Sequence, residues 1–300
     1  MARGYYLYNT AEWDLASVDA LSPAANTADG AEPPDTVLFG KLAERYVTNL
    51  IGPNTTTVLV FTTSSIQVDT LIIPGMLLLG EEVALSADWV YRRPLITKPT
   101  GTVQLRAGNS LLTPQDPSSD SSIVFLPETY TDNSRITNRM GEVQIWRGYA
   151  AITVPKTTGS SWRVSIQINA SARYLLVIPR VMAGVRYTPE INFIDDPSNF
   201  IRDPLRLGAG AGADSNSPRL SPYDEFSITY NNLEDNDYET LRDLVRYSGK
   251  TNPIGIVPVP ERSSSISYVR MLDSGGNWTS RNSERGYSSF TLNMQEVSRV

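Results

Sequence analysis

The stretch from Phe226 to Pro260 constrains the fold most, because a strand pattern, a helix pattern and a second strand pattern follow one another without a break. In FSITY, Phe226, Ile228 and Tyr230 fall on one face, since strand side chains alternate. IGIVPVP, at 254–260, predicts a second strand. Its prolines favour the edge of a sheet, because proline has no amide hydrogen to donate. The stretch therefore predicts a compact strand, helix, strand unit.

The helix between these strands is predicted by its two ends and by an apolar face. An acidic run at 234–237 suits the positively polarised start of a helix, and Gly249 is placed to end it. Residues at helical spacing form the apolar face: Tyr238, Leu241, Leu244 and Val245. Two of them, Tyr238 and Leu241, are also candidate contacts with a neighbouring subunit.

The end of the chain completes a small C-terminal module. Phe290, Leu292 and Met294 alternate in YSSFTLNMQEV, with the rhythm of FSITY, so we expect these two strands to pair. Trp278 lies in the polar stretch SGGNWTSRN, where an exposed tryptophan would be an interface anchor. The alternative is a tryptophan folded back over the sheet. The module is predicted to be a small antiparallel sheet with one helix.

The preceding part of the chain predicts strands almost throughout. In WRVSIQI, Trp162, Val164 and Ile166 share one face, which is typical of a strand buried on one side. Short strands separated by turn residues at intervals of about 8–12 favour a sandwich or barrel. The predicted fold class is mainly β: a jelly-roll or sandwich domain followed by a small α+β module.

Composition shifts give the domain boundaries. Residues 1–35, rich in Ala, Pro, Asp and Asn, are predicted to form an N-terminal arm, either a loose end or a segment lying on a neighbouring subunit. The sandwich spans 36–206. Gly, Ala and Ser make 207–222 a flexible linker, and 223–300 is the α+β module.

Composition also excludes several classes of function. The chain has no Cys and no His, which removes thiol nucleophiles, disulfides, the usual zinc sites and every imidazole-dependent triad. With 26 Lys and Arg against 32 Asp and Glu, the net charge is −6, which argues against nucleic-acid binding. No apolar run reaches the roughly 20 residues of a membrane span. The glycines at 208–212 lack the Lys-Ser/Thr pair of a phosphate-binding loop.

Carboxylates are the remaining candidates for chemistry. Asp195, Asp196 and Asp203 offer oxygen ligands for calcium, but they lack the spacing of an EF-hand loop, so solvated turn residues are favoured. Glycoside hydrolysis needs two carboxyl groups a few ångströms apart, and chance pairs are common among 32 acidic residues. The sequence therefore predicts no enzyme, no catalytic residues, no metal site and no cofactor.

Two aromatic and basic clusters are the candidate ligand-binding residues. The first contains Trp89, Tyr91 and Arg92, and the second contains Trp146 and Arg147. Aromatic faces beside planar arginine donors suit a sugar or a protein partner. The alternative in both cases is the end of a strand, with the aromatic ring in the core and the arginine at its rim.

Several stretches together resemble proteins of tailed-bacteriophage virions. IQVDTLIIPGMLLLGEEVALSA (66–87), an apolar strand carrying an Asp and then a second strand, resembles part of galactose-binding-like jelly rolls. RYLLVIPRVMAGVRYTPEINF (173–193) resembles the closing strands of that domain in phage virion proteins. The stretch 226–261 and the closing FTLNMQEV resemble a module of tail-tip, distal-tail and baseplate proteins. Where the jelly-roll family has His-Asn-Leu, this chain has Pro74-Gly75-Met76-Leu77.

The resemblance implies a structural viral tail protein, at the tip, distal tail or baseplate, that mediates subunit assembly. Its partners would be other virion tail proteins and copies of itself in a homo-oligomer, and it would be assembled in the host cytoplasm. One alternative is a carbohydrate-binding host-attachment protein that recognises a host surface glycan, with Trp89 or Trp146 exposed in a groove. Another is a capsid decoration or head protein with the same fold. No sugar-binding residues transfer by resemblance.

Overall fold

The computed structural model describes the chain in twelve segments: 3–22, 46–86, 89–93, 95–115, 121–130, 143–190, 198–202, 223–249, 252–260, 266–272, 277–282 and 287–297. Within them the chain is mainly β, with large antiparallel sheets and two helices. The predicted fold class is thus confirmed. The candidate calcium ligands Asp195, Asp196 and Asp203 lie outside the described residues, as does the predicted linker at 207–222.

The elements in chain order are β1 (Tyr5–Leu7), α1 (Ala11–Asp14), β2 (Ser17–Ser22), β3 (Tyr46–Val47), β4 (Thr55–Gly80), β5 (Glu82–Ser86), β6 (Trp89–Arg92), β7 (Thr100–Ala107), β8 (Ser110–Leu111), β9 (Val124–Tyr130), β10 (Val143–Asn169), β11 (Tyr174–Ile178), β12 (Met182–Gly184), β13 (Ser198–Arg202), β14 (Tyr223–Leu233), α2 (Asp235–Ser248), β15 (Ile254–Val257), β16 (Ser267–Met271), β17 (Asn277–Asn282) and β18 (Tyr287–Glu296).

The chain divides into two compact units, and each is built from separate segments. The first unit contains Asn9–Tyr187 and Val259–Ile266, and the second contains Arg3–Tyr8, Thr188–Pro258 and Ser267–Val300. The second unit therefore begins well before the predicted linker and also takes in a strand from the start of the sequence.

The predicted N-terminal arm differs from the structure over residues 3–22. This part of the chain forms β1, α1 and β2. Tyr5, Tyr6 and Leu7 are buried, and Trp13 of α1 stacks on Phe61 with ring centroids 4.3 Å apart. Large apolar side chains thus hold the segment in place, whereas the prediction gave more weight to the Ala- and Pro-rich residues after it. Residues 1, 2 and 23–35 of the predicted arm lie outside the described residues.

Two long strands organise the first unit. β4 and β10 pair antiparallel along their lengths and, within the described residues, form the centre of a nine-stranded sheet ordered β3-β11-β4-β10-β7-β8, with β2 and β12 also on β4 and β9 on β10. Register shifts fall at Thr153/Thr157 and Gly159/Ser161, midway along the pair. Such bulges bend strands. A single core accordingly contains side chains from both halves of the pair, including Phe61 and Ile73.

The strand WRVSIQI has the predicted orientation. Trp162, Val164 and Ile166 are fully buried in the core of the first unit. Arg163 and Ser165, at the alternate positions, are partly exposed. The one-sided strand is confirmed.

Pro74 and Gly75 form a bulge in β4. Ala150 faces Ile73, but Gly148 faces Met76, so β4 has one extra residue at Pro74-Gly75. Gly75 has φ +82°, a conformation that glycine adopts at little cost. In a regular strand, Ile73 and Met76 would point to opposite faces, because they are three positions apart. The extra residue puts them on the same face, and both are buried in the same core.

The second unit contains the predicted pairing of FSITY with the closing strand. Phe226 faces Met294, Ile228 faces Leu292 and Tyr230 faces Phe290. Within the described residues these strands belong to a seven-stranded antiparallel sheet ordered β1-β15-β16-β18-β14-β13, with β17 on β18. Both predicted strand patterns are confirmed.

The helix of the second unit also follows its sequence signals. α2 begins after the acidic residue Glu234 and ends at Gly249, whose φ is +50° and whose amide donates to the carbonyl of Val245. Leu244 and Val245 are buried on its inner face. The predicted start, stop and apolar face are therefore confirmed.

The prediction that IGIVPVP forms a sheet edge is wrong. β15 lies between β1 and β16 and pairs with both. The strand ends at Val257, before Pro258, so all its residues retain an amide hydrogen. The prolines mark where the strand stops rather than which side of the sheet it occupies.

The three candidate interface residues have different positions in the second unit. Leu241 is 0% exposed, so its predicted role as a surface contact is wrong and it belongs to the core. Tyr238 is half-buried and meets the ring of Phe290 edge-on, with centroids 6.3 Å apart. Trp278 lies in β17, opposite Phe290, and not in a loop.

Buried tyrosines make the first unit sensitive to alkali. Burial raises the pKa of Tyr46 and of Tyr174 to about 12, from 10.0. The folded state keeps each phenol protonated after the unfolded chain has ionised, so stability is lost as pH rises from 10.0 through about 12. The expected loss is roughly 2–3 kcal/mol for each tyrosine. Phenolate absorbance and circular dichroism, recorded against pH, check this.

Tyr46→Phe is the matched variant, because it keeps the ring and removes the ionisable hydroxyl. It should retain more of its stability above the ordinary tyrosine pKa than the parent chain does. Titration of all tyrosines near their ordinary pKa in a chain that stays folded would contradict the expectation.

Candidate functional site

The first aromatic cluster lies on a β-hairpin formed by β5 and β6. Glu82 faces Arg92, Val83 faces Tyr91 and Ser86 faces Trp89. Among the described residues, these two strands pair with each other and with neither large sheet. Within the described part of the chain, the outer edges of β5 and β6 are thus candidates for pairing with a further strand.

The base of this hairpin is tightly closed. The amide of Arg93 donates to the carbonyl of Glu81 at 2.8 Å. Gly80 lies so close to the returning chain that an added Cβ would be 1.7 Å from the carbonyl oxygen of Arg93. Because Gly80 faces Tyr174 in the large sheet, the base of the hairpin is fixed to that sheet. An ion pair between Arg173 and Glu81, 3.5 Å apart, adds little at the surface.

Trp146, from the second cluster, anchors the chain just after the hairpin. Its indole Nε1 donates to the carbonyl oxygen of Leu95 at 2.6 Å. Trp146 is 5% exposed and belongs to the core of the first unit, with Leu95 buried beside it. This bond places Trp146 beside the chain that leaves the hairpin. The expectation that Trp146 lies exposed in a groove is wrong, because its ring fills the core and its one donor is used by the backbone.

Arg147 lies on the opposite face of β10 from Trp146, since neighbouring strand residues alternate. It faces Leu77 on one side and Leu126 on the other, and it is buried. Its Nη1 would be 3.1 Å from a Cβ added to Gly75, so the guanidinium lies over the bulge in β4. The candidate ligand-binding role of Arg147 is therefore replaced by a packing role.

The aspartate of the jelly-roll-like strand has a structural function that the sequence did not assign. Asp69 Oδ1 accepts a hydrogen bond from the hydroxyl of Thr70 at 2.8 Å and another from the amide of Arg186 at 2.9 Å. The second bond ties β4 to the chain that follows β12. A lone carboxylate inside an otherwise apolar strand was the signal for such a contact.

The sequence patterns also missed a partly buried ion pair in the first unit. Arg180 donates from Nη2 to Asp14 Oδ1 at 2.8 Å, and the hydroxyl of Thr10 donates to Asp14 Oδ2. Burial raises the pKa of Asp14, while Arg180 and Thr10 act in the opposite direction. The pair holds α1 against the sheet, together with the indole of Trp13, which donates to the carbonyl of Val181 at 3.3 Å.

The described residues contain no group of three His, Cys, Asp or Glu that could hold a metal ion. Neither helix of the described segments has the length and apolar character needed to cross a membrane. The candidate site is therefore the hairpin β5–β6 with its base, carrying Trp89, Tyr91 and Arg92.

Replacing Trp146 by phenylalanine is expected to cost about 1–3 kcal/mol in the free energy of unfolding, because the buried carbonyl of Leu95 loses its donor. Trp162→Phe is the matched control, since the indole of Trp162 makes a longer bond of 3.2 Å to the partly buried carbonyl of Gly159. Urea denaturation measures both. Equal losses in the two variants would argue against the anchoring role of Trp146.

No protein-family model, no curated protein and no solved structure matches the chain.

Proposed function

We propose that the chain is a structural component of a bacteriophage tail, at the tip, distal tail or baseplate, and that it mediates assembly between neighbouring subunits. The observation that carries the proposal is the hairpin β5–β6, whose strands pair only with each other among the described residues and whose base is fixed to the large sheet. Its partners would be other tail proteins and copies of itself, within the virion.

A lone two-stranded hairpin is at best marginally stable in water. This one has aromatic residues at alternate positions of β6, Trp89 and Tyr91. Tryptophan and tyrosine are enriched among the residues that dominate binding energy at protein interfaces. A partner strand on either edge of the hairpin would complete its backbone hydrogen bonds.

The rigid base favours a role in assembly. An element that joins subunits must present its contacts at a defined position, and here the Gly80–Arg93 contact and the bond from Trp146 to Leu95 fix where the hairpin begins and ends. The absence of Cys and His from the sequence, and the resemblance to tail modules, support the same proposal.

A carbohydrate-binding role in host attachment is the second candidate, and the same hairpin favours it. Trp89, Tyr91 and Arg92 supply the aromatic and guanidinium groups that sugar recognition uses. The candidate no longer includes Trp146, which is buried. A glycan array, with Trp89→Ala as the negative control, tests it.

Light scattering over a range of protein concentrations tests the assembly role. We expect a ring-sized oligomer for the parent chain, and we expect Trp89→Ala with Tyr91→Ala to lower its mass towards the monomer, because the hairpin loses its aromatic contacts. Ile96→Ala is the matched control, since Ile96 is an apolar residue outside the hairpin that is 78% exposed.

A parent chain that stays monomeric, and that also fails to bind purified phage tails, would overturn the assembly proposal. Binding to purified heads and not to tails would replace it with the capsid decoration role.

A further inference from the structure

The second unit depends on a strand that is very distant in the sequence. β1 pairs with β15 through Tyr5–Val257, Tyr6–Ile256 and Leu7–Gly255. All three β1 residues are buried, and the hydroxyls of Tyr6 and Tyr230 lie 2.6 Å apart in the interior. The second unit thus has a specific acceptor site for this strand, formed by the edge of β15 and the hydroxyl of Tyr230.

The rest of the chain does not by itself determine which copy supplies the strand. Tyr6 and Tyr230 are separated by 224 positions, and the whole run Asn9–Tyr187 of the first unit lies between them. β1 is the terminal strand in the sheet order and pairs there with β15, so it can leave without breaking any other strand pair of the described sheet. A strand from a second copy would make the same hydrogen bonds and bury the same side chains.

The connection after β1 is short. Tyr8, Asn9 and Thr10 join β1 to α1, and α1 is held to the first unit by Trp13 and by the pair of Asp14 with Arg180. Three extended residues span only about 10 Å. Short hinge segments of this kind favour the exchange of a strand between copies.

We propose that in the assembled state β1 of one copy completes the sheet of the second unit in the adjacent copy, so that neighbouring subunits are linked by an exchanged strand. The proposal deepens the assembly function given above and rests on it. The partner is a second copy of this chain, and the contact surface is the edge of β15 together with Tyr230.

Because the sequence contains no cysteine, every disulfide in a cross-linking test must form between introduced cysteines. Tyr5→Cys and Val257→Cys are placed in separate chains, one of which carries a mass tag, and the two are refolded together and oxidised. Because Tyr5 and Val257 face each other in the strand pair, a disulfide between the two chains forms when β1 is exchanged. We expect the mixed disulfide dimer, of intermediate mass, to be the main product on a non-reducing gel.

A chain carrying both substitutions is the positive control for the geometry. If it closes an internal disulfide while the mixture of single variants stays uncross-linked, strand exchange is overturned. Circular dichroism checks the fold of each variant, and Leu7→Cys with Gly255→Cys, which face each other in the same strand pair, repeats the test should Tyr5→Cys not fold.

Light scattering of the same mixture separates this proposal from the assembly function. An oligomer without the mixed disulfide rejects the exchange and leaves the assembly function intact. A monomer without it rejects the exchange, and it rejects the assembly function as well when the chain also fails to bind purified phage tails. The present connection already allows β1 to pair within its own copy. Insertion of four Gly and Ser residues between Asn9 and Thr10 is expected to lower the cross-linked fraction severalfold, because a longer hinge shifts the balance from exchange towards that pairing. An unchanged fraction would contradict the exchange.

Discussion

Gly80→Ala is expected to destabilise the chain by about 3 kcal/mol or more and to open the base of the β5–β6 hairpin. The added Cβ would lie 1.7 Å from the carbonyl oxygen of Arg93, and that neighbour is backbone, which cannot rotate away as a side chain can. Arg93 would have to move, and its hydrogen bond to the carbonyl of Glu81 would break. Thermal unfolding and limited proteolysis of the hairpin measure the two effects.

Gly52→Ala is the matched control, because a Cβ at Gly52 would meet nothing within 4 Å. It should change stability by no more than about 0.5 kcal/mol. If the hairpin is the assembly surface, Gly80→Ala should also weaken subunit association, whereas Gly52→Ala should not. Similar melting temperatures for the two variants would show that the chain can relax around Gly80, and that the base is not rigid.

Periodic patterns in the sequence predicted those parts of the fold in which the local pattern and the tertiary environment agree. The alternation of Phe226, Ile228 and Tyr230 matched that of the closing strand, and the two strands pair in the expected register. Gly249 ends α2 as predicted, because glycine at the end of a helix tolerates a positive φ. In both cases a few residues that are close in the sequence are enough to predict the structure.

Other features depend on contacts between residues that are far apart in the sequence. Nothing local in Tyr5–Leu7 indicates a partner at 255–257, and this strand is what turns β15 from a predicted edge into an interior strand. The approach of Gly80 to Arg93 is likewise a contact between two chain segments. Sequence patterns specify which face of a strand is apolar, but not which strand lies beside it.

The candidate site was predicted in part, because core and surface aromatic residues share the same local pattern. Trp89 and Trp146 each stand near arginines in strand-like sequence. The structure places the side chain of Trp146 in the core, where its indole supports the chain after the hairpin, and it places the backbone of Trp89 in strand β6. The position of Leu241 differs from its prediction for the same reason, since an apolar helix face can cover a core or a partner.

Arg180→Met is expected to lower the free energy of unfolding by about 1–3 kcal/mol, because it leaves the carboxylate of Asp14, which is 29% exposed, without its ion-pair partner. Arg180 is 4% exposed, and methionine fills much of the space that its aliphatic part occupies. The loss should appear first as release of α1, which this pair and Trp13 hold to the sheet. Urea denaturation gives the size of the effect, and tryptophan fluorescence reports the release of Trp13 from Phe61.

The dependence of this loss on pH distinguishes the effect of breaking the ion pair from the effect of losing the packing of the Arg180 side chain. Burial raises the pKa of Asp14 above 3.8, so the folded state holds the proton more tightly than the unfolded chain and the contribution of Asp14 to stability falls as pH rises through that window. Removing Arg180 takes away two influences that lower this pKa, and the pKa should rise further. The destabilisation by Arg180→Met should therefore be larger at about pH 7 than at about pH 4, where Asp14 is closer to neutral.

A double-mutant cycle with Asp14→Asn measures the interaction energy between Asp14 and Arg180. Asparagine can keep the hydrogen bond from Thr10 and removes the charge, so the double variant should be more stable than the sum of the single losses predicts, by about 1–3 kcal/mol. Additive losses that do not change with pH would mean that Arg180 contributes through packing alone. In that case Trp13, and not the ion pair, would be the main contact between α1 and the sheet of the first unit.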